Sequence, residues 1–167
     1  HNEFHIRVIP LKDRIYRLAK SMLSDAEEAE DATQDILEKL WLRRDTLAGY
    51  TNLEAFVYSS AKNHCIDRIR RRKTRYNAAT EMGHTEERSA DTARGIEVRD
   101  MKAIADKLIA ELPEKQREAI HLRDIEGCEF AEIAEMTGSD EATVRVTLSR
   151  ARKTVREKML KIMNYGT

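Results

Sequence analysis

Near its C-terminal end the chain reads SDEATVRVTLSRARKTVREKM, residues 139–159. Two acids, Asp140 and Glu141, precede Arg145, Arg150, Arg152, Lys153 and Arg156. Guanidinium groups donate paired hydrogen bonds to phosphate oxygens or to the edge of a guanine, and ammonium groups neutralise phosphate as point charges. Just upstream, Ala134 is followed four positions later by Gly138 and six after that by Val144. That is helix-turn-helix spacing: a small residue for close approach, a tight-turn residue, and an apolar anchor. The second helix then exposes Arg145, Val146, Ser149, Arg150, Arg152, Lys153 and Arg156, with its acids in the first turn, where the helix dipole favours them. A capped surface helix with a basic end is the plainer reading. Against it stands the charge split: residues 145–161 hold seven bases and one acid, Glu157, while residues 114–140 are acid-rich. Charge is deployed by face.

Two further clusters invite the same question. Residues 68–75, RIRRRKTR, close a helical pattern, and Tyr50, Tyr58 and Tyr76 lie near them in sequence. Arginines on phosphates and bases stacked on rings would make a backbone or single-strand site, although a basic helix end before a linker fits as well. From Asp25 to Glu38 every charged residue is acidic, and Asp31, Gln34, Asp35 and Glu38 interleave with Ile36, Leu40 and Trp41. That mixture suits either a solvated face or a partner surface that is basic and apolar. Trp41 could equally anchor the core.

The elements that must position these residues are all helical. Phe4, Val8, Leu11, Ile15, Leu18 and Met22 step by three or four, as one helix face does. Ser24 with Glu27, and Thr51 with Glu54, read as capping boxes opening a second and a third helix. The second carries Ala29, Thr33, Ile36, Leu37, Leu40 and Trp41 inward and ends near Arg44, before a loop broken by Gly49. The third buries Phe56, Val57, Ser60, Ala61, His64, Cys65 and Ile69. From Tyr76 periodicity collapses into a polar stretch of mixed charge, read as a flexible linker with a reach of roughly 25 Å on the random-chain estimate. It resumes with Ile96, Met101, Ile104, Leu108 and Leu112. Pro113 then opens a helix that Glu126 and Gly127 end. A short helix with Phe130, Ile133, Ala134 and Met136 leads to the last, which buries Val144, Leu148, Val155, Met159 and Ile162. The expected fold is all-α: a three-helix domain over 1–75, a linker over 76–95 and a helix-turn-helix domain over 96–167.

In 167 residues the net charge is +0, charged residues make up 36% and aromatics 5%. The cores must therefore be largely aliphatic, and bulk charge attracts no nucleic acid. Cys65 and Cys128 match neither a disulfide framework nor zinc spacing, which points to a reducing, cytoplasmic setting. No apolar run reaches membrane-spanning length and no signal peptide is read. There is no Gly-rich phosphate loop and no nucleophile–base set. His64 and His121 fall in helical periodicity, so no catalytic residue, metal or cofactor is expected.

Three segments in order carry a resemblance: DAEEAEDATQDILEKLW, then AFVYSSAKNHCIDRIRRRK, then LPEKQREAIHLRDIEGCEFAEIAEMTGSDEATVRVTLSRARKTVRE. Together they resemble an extracytoplasmic-function (ECF) sigma factor of the sigma-70 family across nearly all the chain except the linker. The final helix-turn-helix alone would also suit a LuxR-type regulator. The resemblance implies a region-two and a region-four domain that bind core RNA polymerase, at the β′ clamp coiled coil and the β flap, and recognise promoter DNA. An anti-sigma factor partner, a cytoplasmic location and no membrane insertion go with the resemblance. It places Asp31, Gln34, Asp35, Ile36 and Glu38 on the clamp. Tyr50, Thr51, Asn52, Asn63 and Asp67 would act at an unpaired −10 base, with Arg68, Arg71 and Arg72 on phosphates. Arg145, Val146, Thr147, Ser149, Arg150 and Lys153 would meet the −35 element. Many relatives carry a serine where Val146 stands and a basic residue where Thr147 stands, so the −35 sequence read here would differ. A regulator that binds DNA through the helix-turn-helix without polymerase is the alternative.

Overall fold

The computed structural model describes residues 2–80 and 98–165, and among them there is no strand. In order come α1 (Asn2–Arg7), a 3-10 turn (Ile9–Leu11), α2 (Lys12–Leu23), α3 (Ala26–Leu42), the one-turn α4 (Arg44–Leu47) and α5 (Leu53–Thr80). Then follow α6 (Val98–Ala110), α7 (Glu114–Ile120), a π turn (His121–Ile125), α8 (Phe130–Thr137) and α9 (Glu141–Tyr165). The chain divides into two compact units, His1–Glu87 and Arg88–Thr167.

In the first unit α2, α3 and α5 pack against one another. Their meeting surface is built from small side chains: Ala19, Ala29, Ala32 and Cys65 are fully buried beside Leu23, with Tyr16, Met22 and Ile69 around them. Larger aliphatics, Val8, Leu11, Ile15, Leu18, Ile36, Leu40 and Val57, fill the rest. Each such side chain contributes roughly 1.5–3 kcal/mol when fully buried.

Four local expectations change. The apolar run from Phe4 to Met22 is not one helix. Pro10 lacks an N–H and sits in the 3-10 turn between α1 and α2, yet Phe4, Val8, Leu11, Ile15 and Leu18 still face inward. Ser24 does not cap α3. It closes α2 in the left-handed region, φ 59°, and Asp25 takes the cap, accepting the Glu27 N–H at 2.9 Å. Likewise Asn52, not Thr51, caps α5 by accepting the Ala55 N–H at 3.1 Å, and Glu54 instead reaches Arg14 at 3.4 Å. Finally, α5 continues as helix through residues 76–80, which were expected to begin the linker. The remainder of that expected linker lies outside the described residues.

In the second unit α9 is the spine on which α6, α7 and α8 pack. Leu112, Ala119, Ile120, Leu148 and Ala151 form the core, with Ile109, Phe130 and Val155 against it. Pro113 stands at the cap of α7 rather than inside its first turn. The helix of α7 then widens: the Glu126 N–H reaches back five residues to the His121 carbonyl at 2.9 Å. Ala119, Ile120, His121 and Leu122 are all buried in succession where the helix widens. Ile162, expected in the core, is 36% exposed, because α9 runs past the last element it packs on.

Two residues in the left-handed region give opposite expectations. A Cβ there costs an L-residue about 1–2 kcal/mol. Ser24→Gly should therefore raise stability by about 1 kcal/mol, the gain reduced by the entropy of the added glycine. Gly138 has φ +69° and nothing within 4 Å of a built Cβ, so Gly138→Ala should lose about 1 kcal/mol from conformation alone. Urea denaturation midpoints of the two variants check both signs.

Candidate nucleic-acid interface

The strongest site begins at the cap of α8, where Glu129 and Glu132 satisfy each other's backbone N–H groups. Gly138 ends α8 with its N–H on the Ala134 carbonyl, and Asp140 then opens α9 by accepting the Thr143 N–H at 2.7 Å. Those bonds to Thr143 hold the Asp140 carboxyl below its ordinary value. Val144 and Leu148 are buried, which turns Val146, Ser149, Arg150 and Lys153 outward at i, i+3, i+4 and i+7. Thr147 is half-buried at the edge of that face. Arg145 is exposed, with its guanidinium 4.2 Å from the centre of the Phe130 ring. Arg152 is tied down by both carboxylate oxygens of Asp124 in the π turn, one contact being 3.1 Å, so it braces α9 from the side.

The first unit carries the second site. Tyr50 is exposed and stacked on Phe56, ring centres 4.2 Å apart. Beside it a hollow of about 420 Å³ is lined by Thr51, Asn52, Leu53 and Glu54 on one side and by Ile6, Arg7, Pro10 and Leu11 on the other. Asn63 and Asp67 are exposed on α5, seven and eleven residues beyond Phe56 and hence on its face. The Asn52 side-chain oxygen already caps α5. Tyr58 is buried, 8% exposed, and so is no stacking platform for a base.

The arginines of α5 are not equivalent. Arg68 reaches Asp35 of α3 at 2.6 Å and donates through Nε to His64 Nε2 at 3.1 Å. Arg72 donates to the Leu23 carbonyl at 3.2 Å, satisfying the end of α2, and pairs with Glu28. Arg71 and Arg75 are exposed on the same hollow, about 400 Å³, that Glu28, Asp35, His64, Arg68 and Arg72 line. Burial lowers the His64 pKa from its ordinary 6.5, and Lys39 and Arg68 lower it further while Asp35 and Asp67 oppose them. Burial also pushes the Cys65 thiol up to about 11.

On α3, Asp31, Gln34 and Glu38 are exposed, and Asp35 is half-exposed in its pair with Arg68. Ile36 is 2% exposed and belongs to the core, so it offers nothing to a partner. Leu42, at the end of the helix, is apolar and 72% exposed. The sequence held that signal: Leu42 is out of phase with the buried set Ala29, Ala32, Thr33, Ile36 and Leu40. Among the described residues no group of His, Cys, Asp or Glu side chains is placed to hold a metal, and no helix is long and apolar enough to cross a membrane.

The family models for sigma-70 region 2 and sigma-70 region 4 match residues 8–75 and 102–155, one within each unit. The chain belongs to the sigma-70 family. It is an RNA polymerase sigma factor of the ECF type, a protein of transcription initiation. It is 29% identical over 157 residues to the ECF sigma factor SigW of Bacillus subtilis, covering 89% of this chain and 84% of SigW. It is 29% identical over 161 residues to the RNA polymerase sigma-H factor of Pseudomonas aeruginosa, covering 91% of this chain and 83% of that one. The sigma factor RpoE, solved in complex with the anti-sigma factor NepR from Bartonella quintana, superposes with a TM-score of 0.71 at 26% identity, over 97% of this sigma factor and 99% of RpoE.

His64 gives a pH-dependent prediction. Its folded pKa lies below the unfolded value of 6.5, so the unfolded chain takes up the proton first. Stability from the neutral ring is complete above about 6.5 and is lost as pH falls through the lowered folded value. NMR titration of the His64 ring should give a midpoint below 6.5, and Lys39→Met should move it upward.

Proposed function

We propose that this sigma factor holds the β′ clamp coiled coil of core polymerase with α3, a −10 base with the hollow beside Tyr50, and the −35 element with α9. The observation that carries the reading is the outward face of α9. Val146, Ser149, Arg150 and Lys153 lie clear of the core directly after a capped helix-turn-helix, and such a helix reads base edges in the major groove. Val146 meets a thymine methyl, Arg150 donates to a base or phosphate, and Ser149 and Lys153 follow the backbone.

On α3, Asp31, Gln34, Glu38 and Leu42 form an acidic face with an apolar end, which suits a basic and apolar partner. In the −10 site, Thr51 and Asn52 offer polar groups at a hollow large enough for a base, with the Tyr50–Phe56 stack beside it. Arg71 and Arg75 take phosphates first, and Arg68 and Arg72 do so only by exchanging Asp35 and Glu28 for them. The exposed Leu160 and Met163 on the last turns of α9 are the apolar contact for the β flap. The chain performs no catalysis itself and acts in the cytoplasm with polymerase, and an anti-sigma factor that covers these surfaces keeps it inactive.

The test is binding and initiation with core polymerase and a fork-junction promoter. The chain should bind core stably and confer start-site selection, whereas tight duplex binding without core would support a stand-alone regulator. Arg150→Ala should reduce −35-dependent initiation roughly 5- to 100-fold, the size of one good base contact, and leave core affinity unchanged. Glu38→Lys should do the reverse, weakening core binding about tenfold in a pull-down titration. Loss of core binding in Arg150→Ala would contradict the division of labour.

A further inference from the structure

Phe130, the first residue of α8, carries two guanidinium groups. The Arg123 guanidinium lies 4.3 Å from the ring centre and that of Arg145 lies 4.2 Å from it. Arg123 is itself fixed, because Nη1 donates to the Cys128 carbonyl at 2.9 Å and lies 3.8 Å from Glu129. The ring therefore stands on an anchored base, packed against the core of the second unit, while its π cloud holds a side chain of the DNA-facing helix. We infer that Phe130 is a positioning residue for promoter reading: it holds the Arg145 guanidinium in place before DNA arrives.

The physical reason is entropy. An arginine side chain has about 2 kcal/mol of rotamer freedom to lose on binding, and a guanidinium that is already held loses less of it. The two cations gathered at one ring also raise the local positive potential where a phosphate or a guanine edge would approach. The −35 residues that the sequence singles out do not include Phe130, which faces partly inward and would be counted as core. The inference rests on Arg145 reading the −35 element.

The experiment is initiation from promoters with the preferred −35 sequence and with single-base substitutions in it, using full chain and core polymerase. Arg145→Ala, Phe130→Leu, Phe130→Tyr and the Phe130→Leu, Arg145→Ala double variant are compared, with thermal unfolding of each. Phe130→Leu should lower discrimination at one base pair about two- to fivefold, the size of an exposed cation–π contact. Phe130→Tyr should restore it, and Phe130→Leu should add nothing once Arg145 is alanine. Because leucine could also loosen the core, a second series replaces Phe130 with phenylalanines of increasing ring fluorination. These keep the shape and remove the negative face, so discrimination should fall stepwise at constant unfolding temperature.

A flat response to fluorination, or a gain in discrimination, would overturn the inference. If Arg145→Ala reduces discrimination while the Phe130 variants do not, the reading of α9 survives and the positioning role fails. If Arg145→Ala itself changes nothing, Arg145 is not a −35 reader and the role assigned to Phe130 falls with it.

Discussion

Close approach of α2, α3 and α5 through Ala19, Ala29, Ala32 and Cys65 is the constraint on which the first unit rests. A chain with 5% aromatics has few large side chains with which to fill gaps between helices. It closes the gap by bringing backbones together, which small residues allow. Close packing also decides which surfaces are left. With Ala29, Ala32, Thr33, Ile36 and Leu40 turned inward, Asp31, Gln34, Glu38 and Leu42 are among the α3 residues left outward. The acidic surface is thus a by-product of where the seam lies. The second unit follows a related logic around Ala151, which lets other helices lie against α9 while its basic face stays outside.

Several arginines of this sigma factor are already paired with its own carboxylates. Arg68 on Asp35, Arg72 on Glu28 and Arg152 on Asp124 are all acid–base pairs that bind one helix to another element. Exposed pairs of this kind contribute little to stability, roughly 0–1 kcal/mol each. Their larger effect is on binding. A phosphate that recruits Arg68 must displace a carboxylate already in place, so the net gain is the difference between two similar contacts. Arginines held in this way gain little by turning to a phosphate, and the chain's net charge is +0.

Helix existence and the helix-turn-helix were legible in the sequence because both depend on local rules. Gly138 is left-handed and Val144 points inward, as the spacing of residue types implies. Misreadings occurred where two local rules competed. Ser24 and Asp25 are both good caps, and only the backbone shows that Ser24 is occupied in ending α2. Thr51 and Asn52 posed the same choice. Ile36 sat among acids and looked like part of their face, yet its phase with Ala29, Ala32 and Leu40 makes it core. The π turn at His121–Ile125 was beyond any fixed period, because it changes the period itself. The pairing of Arg68 with Asp35 joins residues 33 apart, and no pattern along the chain reports such a contact.

The helix α5 outlasts the bundle that supports it. Arg72 ties α5 to the end of α2 through the Leu23 carbonyl, and the helix continues to Thr80. At 1.5 Å per residue those eight further positions form a spur of about 12 Å. A length of helix sets a bearing as well as a distance. One residue inserted between Arg72 and Thr80 would advance its tip by about 1.5 Å and swing the departing chain by about 100° around the axis. Such an insertion would turn every side chain beyond it about the helix axis while leaving the residues of the three-helix core where they are.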